Sequence, residues 1–527
     1  MQRRNVLIGL ALGGLSLAGG CSAPSRGRKS NELRIIQGQN LSNLDPIFTT
    51  EPATRDFGFL TYDQLIAVDE AFIPRPQMVE GWSIEDDGRS YVFGLRPGLK
   101  FHDGEPVRSQ DCIPSIKRWG ARDGFGQIAM TFISDFEVVD DNRFKIKLKQ
   151  PFALLPDALG KATSSECFIM PERFAKTDPM KPVTEAIGSG PFRFLKDEWV
   201  SGSHAAWARF DGYVPRKEAV SGIAGGRVAK VARVEWSMIT DPSTAMAALI
   251  AGEQDYWGQP PADLIPILKA DPNVRVESRS TGGCLMLQFN HLQPPFNNVA
   301  VRQAVAMAVD QKVFMKATAG DPAFMRTCYG VYACGTPYAS EAGADILKVA
   351  DLQKARAQLV KSGYAGEKVV LLAQQDGLLA GPGQVAEDIL RRMGMNVESV
   401  VLDFATMAQR RLNKSPTDKG GWSAFLTAWS GGDILNPAVN PMLRGAGEQG
   451  YPGWATDPIL ESLRHRWAAS IDANERKDLA AAIQVQALQT LPYVPLGSVQ
   501  RASAYRKDLT GMFPAPVDAY WNIGKSA

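Results

Sequence analysis

Residues 285–311 read LMLQFNHLQPPFNNVAVRQAVAMAVDQ, and how this stretch folds decides the architecture. Leu285 to Phe289 is a short apolar run closed by Asn290, the pattern of a buried strand. Pro294 and Pro295 then exclude a helix or a central strand, because proline fixes φ and has no N–H to donate. Asn297 or Asn298 is placed to cap a helix. Val301, Ala304, Val305, Ala308 and Val309 fall at i, i+3, i+4, i+7 and i+8, which makes one helical face apolar. A buried strand therefore hands over, through a rigid turn, to an amphipathic helix near the middle of the chain. A chain crossing between two lobes would look like this.

The same rhythm extends to both sides. Residues 33–37 read as a strand and 51–65 as a helix. Tyr91, Phe93 and Leu95 alternate with polar or small neighbours, as do Phe144, Ile146 and Leu148 with lysines, so this region is β-rich. Asp103-Gly104 signals a hairpin turn, and 109–119 a helix that tolerates Pro114. Val234, Trp236 and Met238 alternate on a half-buried strand. Asp241-Pro242 then supplies an N-cap and a first-turn proline, and Gly252 closes the helix. Beyond the opening stretch, helices at 351–360 and 382–393 flank a strand at 369–373, with further strands at 397–402 and 423–429. Asp472 and Glu475 form a capping box for a helix over 473–490. Strands alternating with helices imply an α/β fold. No internal repeat or low-complexity tether interrupts the chain, so its lobes must be joined by strands.

At 527 residues the chain exceeds a single core and implies roughly two to four domains of about 150 residues. With 45% hydrophobic and 22% charged residues it is of ordinary globular composition. Arg3 and Arg4 precede an apolar run from Val6 to Ala18, then small residues and Cys21. That order marks residues 1–21 as a signal peptide, with an apolar run too short to span a bilayer. RRNVLI fits a twin-arginine signal as well as the general secretory route. LAGGC resembles a bacterial lipobox with Cys21 as the lipidated residue, although Ala18 stands where the strict pattern has Leu, Val or Ile. Without Arg3 and Arg4 the remaining basic residues equal the 56 acidic ones. A neutral chain without a basic stripe offers no electrostatic footprint for nucleic acid.

Motifs for chemistry are missing. There is no GxSxG, no phosphate-binding GxxxxGK[ST] and no HExxH, and His102, His204, His291 and His465 are isolated in sequence. No local pattern points to catalytic residues, a metal or a cofactor, although an enzyme with non-local catalytic residues stays open. Cys328 and Cys334 sit in a turn-rich loop and are the candidate disulfide. A metal site there lacks both CxxC and a nearby histidine. Cys112, Cys167 and Cys284 read as buried thiols. Large aromatics at strand ends are the candidate ligand edge, among them Tyr62, Trp257 and Trp429. Trp429 is followed by Ser-Gly-Gly-Asp433, so a strand ends, glycines open the backbone and a carboxylate is presented. Asp433 suits an ammonium group, and suits equally a cap for the turn at Asn436-Pro437.

The segment GWSIEDDGRSYVFGLRPGLKFHDGEPV from Gly81, GSGPF from Gly188, ALIAGEQD from Ala248, the Phe289–Asp310 stretch, Trp429 with its acidic turn, and PYVPLG from Pro492 occur in one order. In that order they resemble the family 5 extracellular solute-binding proteins, which serve ABC importers of oligopeptides, dipeptides and nickel. The resemblance implies a two-lobed periplasmic binding protein fold of type II, α/β, with an extra subdomain in the first lobe. The first lobe would comprise 30–284 and 491–527 with a subdomain at about 71–185, and the second 285–490. Strands near 285–290 and 493–496 would form the hinge. It implies a monomer in the periplasm or cell envelope that captures a peptide or peptide-like solute. Its partners would be the permease and ATPase subunits, with membrane contact only through a lipid anchor. A metal chelate, opine or oligosaccharide is the alternative solute, and an exported hydrolase the alternative class. The implied ligand-binding residues are Tyr62, Trp257, Asn290, Trp429, Gly432, Asp433 and Asn436. Asp433 lies one position later than the acidic residue of the peptide binders. The arginine by which dipeptide binders hold a carboxylate has no counterpart in DGLLAGPGQVAED, leaving Arg410, Arg411 or Lys414 as substitutes.

Overall fold

The computed structural model describes residues 31–526, apart from 164, 279–281 and 376. The expected signal segment and Cys21 lie outside the described residues. Two mixed sheets carry the fold. The first has seven strands, in the order Phe192–Phe194, His204–Arg209, Arg233–Met238, Glu32–Gln37, Tyr256–Trp257, Ala502–Arg506 and Val274–Ser278. Its centre, Glu32–Gln37, runs parallel to both neighbours. Ile35 faces one core cluster and Ile36 another, built from Leu249, Trp257 and Leu268, so both faces are covered and neither isoleucine is replaced by a polar residue.

The second sheet has six strands, in the order Met325–Arg326, Tyr493–Val499, Gly283–Phe289, Ala424–Ser430, Lys368–Gln374 and Asn396–Leu402. It too is buried on both faces: Val369 and Leu371 point to the main core, Val370 and Leu372 to a cluster with Trp422, Phe425 and Trp454. A four-stranded antiparallel sheet, Val79–Glu85, Ser90–Leu95, Arg143–Leu148 and Ile133–Val138, forms the insertion with helices Ser109–Arg122 and Gly124–Phe132. The alternating aromatics expected there meet across strands, with the Phe93 and Phe144 rings 5.2 Å apart.

The chain leaves the first sheet after Ser278, joins the second at Gly283, and returns through Gln500 and Arg501 to Ala502. The strands expected as hinge, 285–290 and 493–496, lie inside the second sheet and pair with each other. Of the tail expected in the first lobe from 491, Tyr493–Val499 pairs within the second sheet, whereas Ala502–Arg506 joins the first. All seven residues of Tyr493–Val499 are buried in the second sheet, where both faces of that apolar strand are covered.

In the opening stretch, Asn298 is the cap, accepting from the Ala300 amide, and the helix runs Val299–Ala308. The helix expected over 51–65 spans Pro52–Thr61. Tyr62 turns extended, and Asp63–Gln64 pairs with Phe168–Ile169 instead. The Asp472 side chain accepts from the Asn474 and Glu475 amides, but the Glu475 carboxylate is taken by the Ser470 hydroxyl at 2.7 Å, so the capping box is only half formed. Cys328 and Cys334 are joined by a disulfide across Cα atoms 5.8 Å apart, and Cys112, Cys167 and Cys284 are buried thiols.

Candidate ligand-binding cleft

Two chambers open between the parts of the chain built on the two sheets. One encloses about 640 Å³ and is lined by Pro260, Pro261, Asp263 and Ile265 on the first-sheet side. Leu285, Phe324, Leu378 and Trp429 line it on the second-sheet side, with Gln500 and Arg501 from the link. The other encloses about 830 Å³, between Arg122, Phe125, Ile128, Lys161 and Thr163 of the insertion and Asp433, Pro437, Arg444, Arg464 and His465. Volumes of this size suit small solutes rather than macromolecules. Trp429 is the one described residue that lines both chambers.

Trp429 is half-buried near the end of Ala424–Ser430, its ring edge-on to Tyr451 at 5.6 Å. The chain then turns. Ser430 Oγ donates to Asp433 Oδ2 at 2.6 Å, and the Asp433 amide donates back to the Ser430 carbonyl at 3.1 Å. Asp433 therefore closes the turn at 430–433, ahead of the one at Asn436-Pro437 that it was expected to cap, and lines the larger chamber as well. Gly432, just before it, approaches Thr163 of the insertion beside a gap of only about 20 Å³. Several other charges of the larger chamber are already committed. Lys161 pairs with Asp123, Arg122 donates to the Phe48 carbonyl at 2.8 Å, and Arg464 binds the Pro437 carbonyl and Glu461.

A buried charge cluster borders the smaller chamber. Arg55 pairs with Asp56 at 2.8 Å, and Tyr256 Oη donates to Asp518 Oδ1 at 2.8 Å. Burial pushes Asp56 up to about 7 against the pull of Arg55, and the charge of Asp518 adds to the rise. Glu166 is fully buried, and among the described residues none donates a hydrogen bond to its carboxylate oxygens. Burial raises it to about 8, with Arg55 and Lys161 opposing.

Of the residues implied by resemblance, Trp429, Gly432, Asp433 and Asn436 gather in one segment beside the chambers. Asn436 is buried, and its Oδ1 accepts from the Ala438 and Val439 amides, so it shapes the turn. The others lie elsewhere. Tyr62 is a core residue packed edge-on to Phe57, with its hydroxyl 3.4 Å from the Glu185 carbonyl. Trp257 is buried against Ile36 and Leu268. Asn290 is fully buried, donating to the Trp422 carbonyl at 2.8 Å and accepting from the Leu292 amide. Arg411 donates to Tyr451 Oη at 3.1 Å and Lys414 binds Glu448, so neither serves the chambers. His465, isolated in sequence, lines the larger one. Arg501, Glu166 and the insertion's wall went unnoticed. For Arg501 the available signal was a lone charge breaking an apolar run, VPLGSVQRASAY.

The family model for bacterial extracellular solute-binding proteins, family 5 (middle region), matches residues 74–451. A probable peptide ABC transporter periplasmic-binding protein, y4tO of Sinorhizobium fredii, is 38% identical over 493 residues, covering 93% of this chain and 92% of the relative. Among solved structures, a dipeptide-binding protein from Pseudoalteromonas sp. SM9913 in complex with Met-Leu superposes with a TM-score of 0.76 at 20% identity. That match covers 94% of this chain and all of the other. The binding protein AgaA of A. tumefaciens R10, in complex with agropinic acid, gives 0.75 at 22% identity over 94% of this chain and 99% of that one. Fold and family model agree with the order of motifs along the chain, and the protein belongs to the bacterial extracellular solute-binding proteins of family 5.

Proposed function

We propose that this chain is the solute-capturing subunit of an ABC importer and that its solute is a peptide or peptide-like molecule carrying a free ammonium group. The observation that carries this reading is Asp433. One of its carboxylate oxygens is held by Ser430, the other receives no hydrogen bond from the described residues, and the side chain borders the larger chamber beside Trp429. A half-buried carboxylate next to an aromatic face is the electrostatic complement of an ammonium group. The two chambers lie between parts of the chain joined by only two links, so a ligand touching both walls favours the closed form. The 38% identical relative named for peptide transport supports the solute class. Export by residues 1–21, anchoring through Cys21, and delivery of the solute to permease and ATPase subunits by a monomer complete the reading.

Native mass spectrometry of the purified protein tests for a retained solute, followed by thermal shift with pooled di- to pentapeptides. A ligand at about 100 times its Kd should stabilise the protein by about 2.7 kcal/mol. Asp433→Ala should abolish the shift given by peptides with a free N-terminus, whereas an unchanged shift would remove Asp433 from the site. Retention of an opine, a metal chelate or an oligosaccharide, with no response to peptides, would replace the peptide reading.

A further inference from the structure

Arg501 belongs to the two-residue link by which the chain returns from the second sheet to the first. It is exposed, and the space it faces is the cleft, since it lines both the 640 Å³ chamber and a small gap beside Arg55 and Asp518. Among the described residues no hydrogen bond and no ion pair within 4 Å occupies its guanidinium, although Arg55, Asp518, Asp56 and Asp433 all act on it through their charges. Crowding by protein atoms disfavours its charge, the first cause of its lowered pKa, and Arg55 adds repulsion. A guanidinium that reaches into the cleft without a partner of its own is open to an anion brought by the solute. The chamber around it is largely apolar, with Pro261, Ile265, Leu285, Phe324 and Leu378 in its walls. Among the described residues Asp263 is its only other charged lining residue.

We propose that Arg501 is the carboxylate anchor of the cleft, holding an acid group that stands beside an apolar side chain in the smaller chamber. For a peptide this is the C-terminal residue, with the chain passing Trp429 towards Asp433. The guanidinium fork matches a carboxylate bidentately. Its position on an interlobe link makes anchoring and closure one event. The inference rests on the cleft being the solute site, but not on the solute being a peptide.

The test is isothermal titration of the full mature chain and of Arg501→Gln and Arg501→Lys. Three probes serve: a pool of di- and tripeptides ending in Leu, the same pool as C-terminal amides, and agropinic acid. Wild type should bind the free acids at least about 30-fold more tightly than the amides. Arg501→Gln should lose that preference, and Arg501→Lys should recover part of it. Melting of the ligand-free variants should match wild type, showing that the loss lies in binding. Agropinic acid bound in an Arg501-dependent way, with no peptide bound, supports the anchor and overturns the peptide reading. Equal affinity for acids and amides, or unchanged binding by Arg501→Gln, overturns the anchor, and failure of wild type to bind any of the three overturns both.

Discussion

Gly432 and Thr163 meet across the cleft so closely that a Cβ built on the glycine would stand 2.4 Å from the threonine Cγ2. One residue precedes Asp433 on the turn after Ala424–Ser430, and the other belongs to the wall supplied by the insertion. Thr163 is nearly inaccessible, so its methyl has little room to retreat. Gly432→Ala should therefore cost about 1–3 kcal/mol in the form where the walls touch. If the whole cost falls on that form, peptide affinity drops roughly 5- to 150-fold. Thr163→Ser removes the clashing methyl and should restore binding in the double variant. Titration calorimetry on the four proteins of this cycle checks it, and a single variant that binds like wild type would show that the contact is not needed for binding.

The elements legible in the sequence were those whose signals are local. Asp241 caps its helix through the Thr244 amide as the Asp-Pro pair announced, and the strand expected over 33–37 forms, with Ile35 and Ile36 buried on opposite faces. The candidate site was legible only in part. Trp429, Gly432, Asp433 and Asn436 fall within eight residues, so one turn after one strand made them candidates together. Tyr62 and Asn290 also sit at the end of an element, as ligand residues do, but lie away from the chambers with their polar atoms spent on the Glu185 and Trp422 carbonyls. Arg501 was passed over for the opposite reason. The charges that act on it, at 55, 56, 433 and 518, come together only in the folded chain.

Glu166 gives a pH dependence whose sign follows from its burial. Its folded pKa is about 8 against an ordinary value of 4.5, so above the ordinary value the unfolded chain releases a proton that the folded chain retains. Its contribution to stability is therefore greatest in acid, declines as pH rises from about 4.5, and levels off above about 8. Glu166→Gln, which mimics the protonated form, should melt like wild type near pH 5 and above wild type at about pH 8.5. His102 and His291, buried and lowered to about 4 and about 3, oppose this trend in acid in both proteins and cancel in the difference. A melting difference that is the same at both ends of the range would contradict the assignment to Glu166.

The Cys328–Cys334 disulfide closes a short loop, with a sequence separation of 6. The same loop is pinned independently by Gln311, which exchanges two 2.8 Å hydrogen bonds with the Cys328 backbone. Loop-closure entropy alone assigns the crosslink roughly 2 kcal/mol. The double Cys→Ala variant should accordingly lower the melting temperature by a few degrees and leave peptide affinity within about twofold. A large loss of affinity on reduction would mean that the loop shapes the cleft.

Arg118 ties the insertion to the first part of the chain. Its buried guanidinium donates to Asp45 Oδ2 at 2.6 Å and to the carbonyls of Thr177, Asp178 and Lys181 at 2.6 to 3.0 Å. Asp45 spends its remaining capacity on the Ile47, Phe48 and Val183 amides. Arg118→Met leaves Asp45 as a buried carboxylate without its cation, at a cost of about 3–5 kcal/mol. Arg118→Met with Asp45→Leu removes both charges and should recover part of the loss, because the pair's attraction largely repays its own desolvation. Urea unfolding followed by circular dichroism, read at the first transition, should rank wild type above the double variant and the double variant above the single one. The insertion supplies one wall of the larger chamber, so the single variant should also lose peptide affinity, and the double variant less of it.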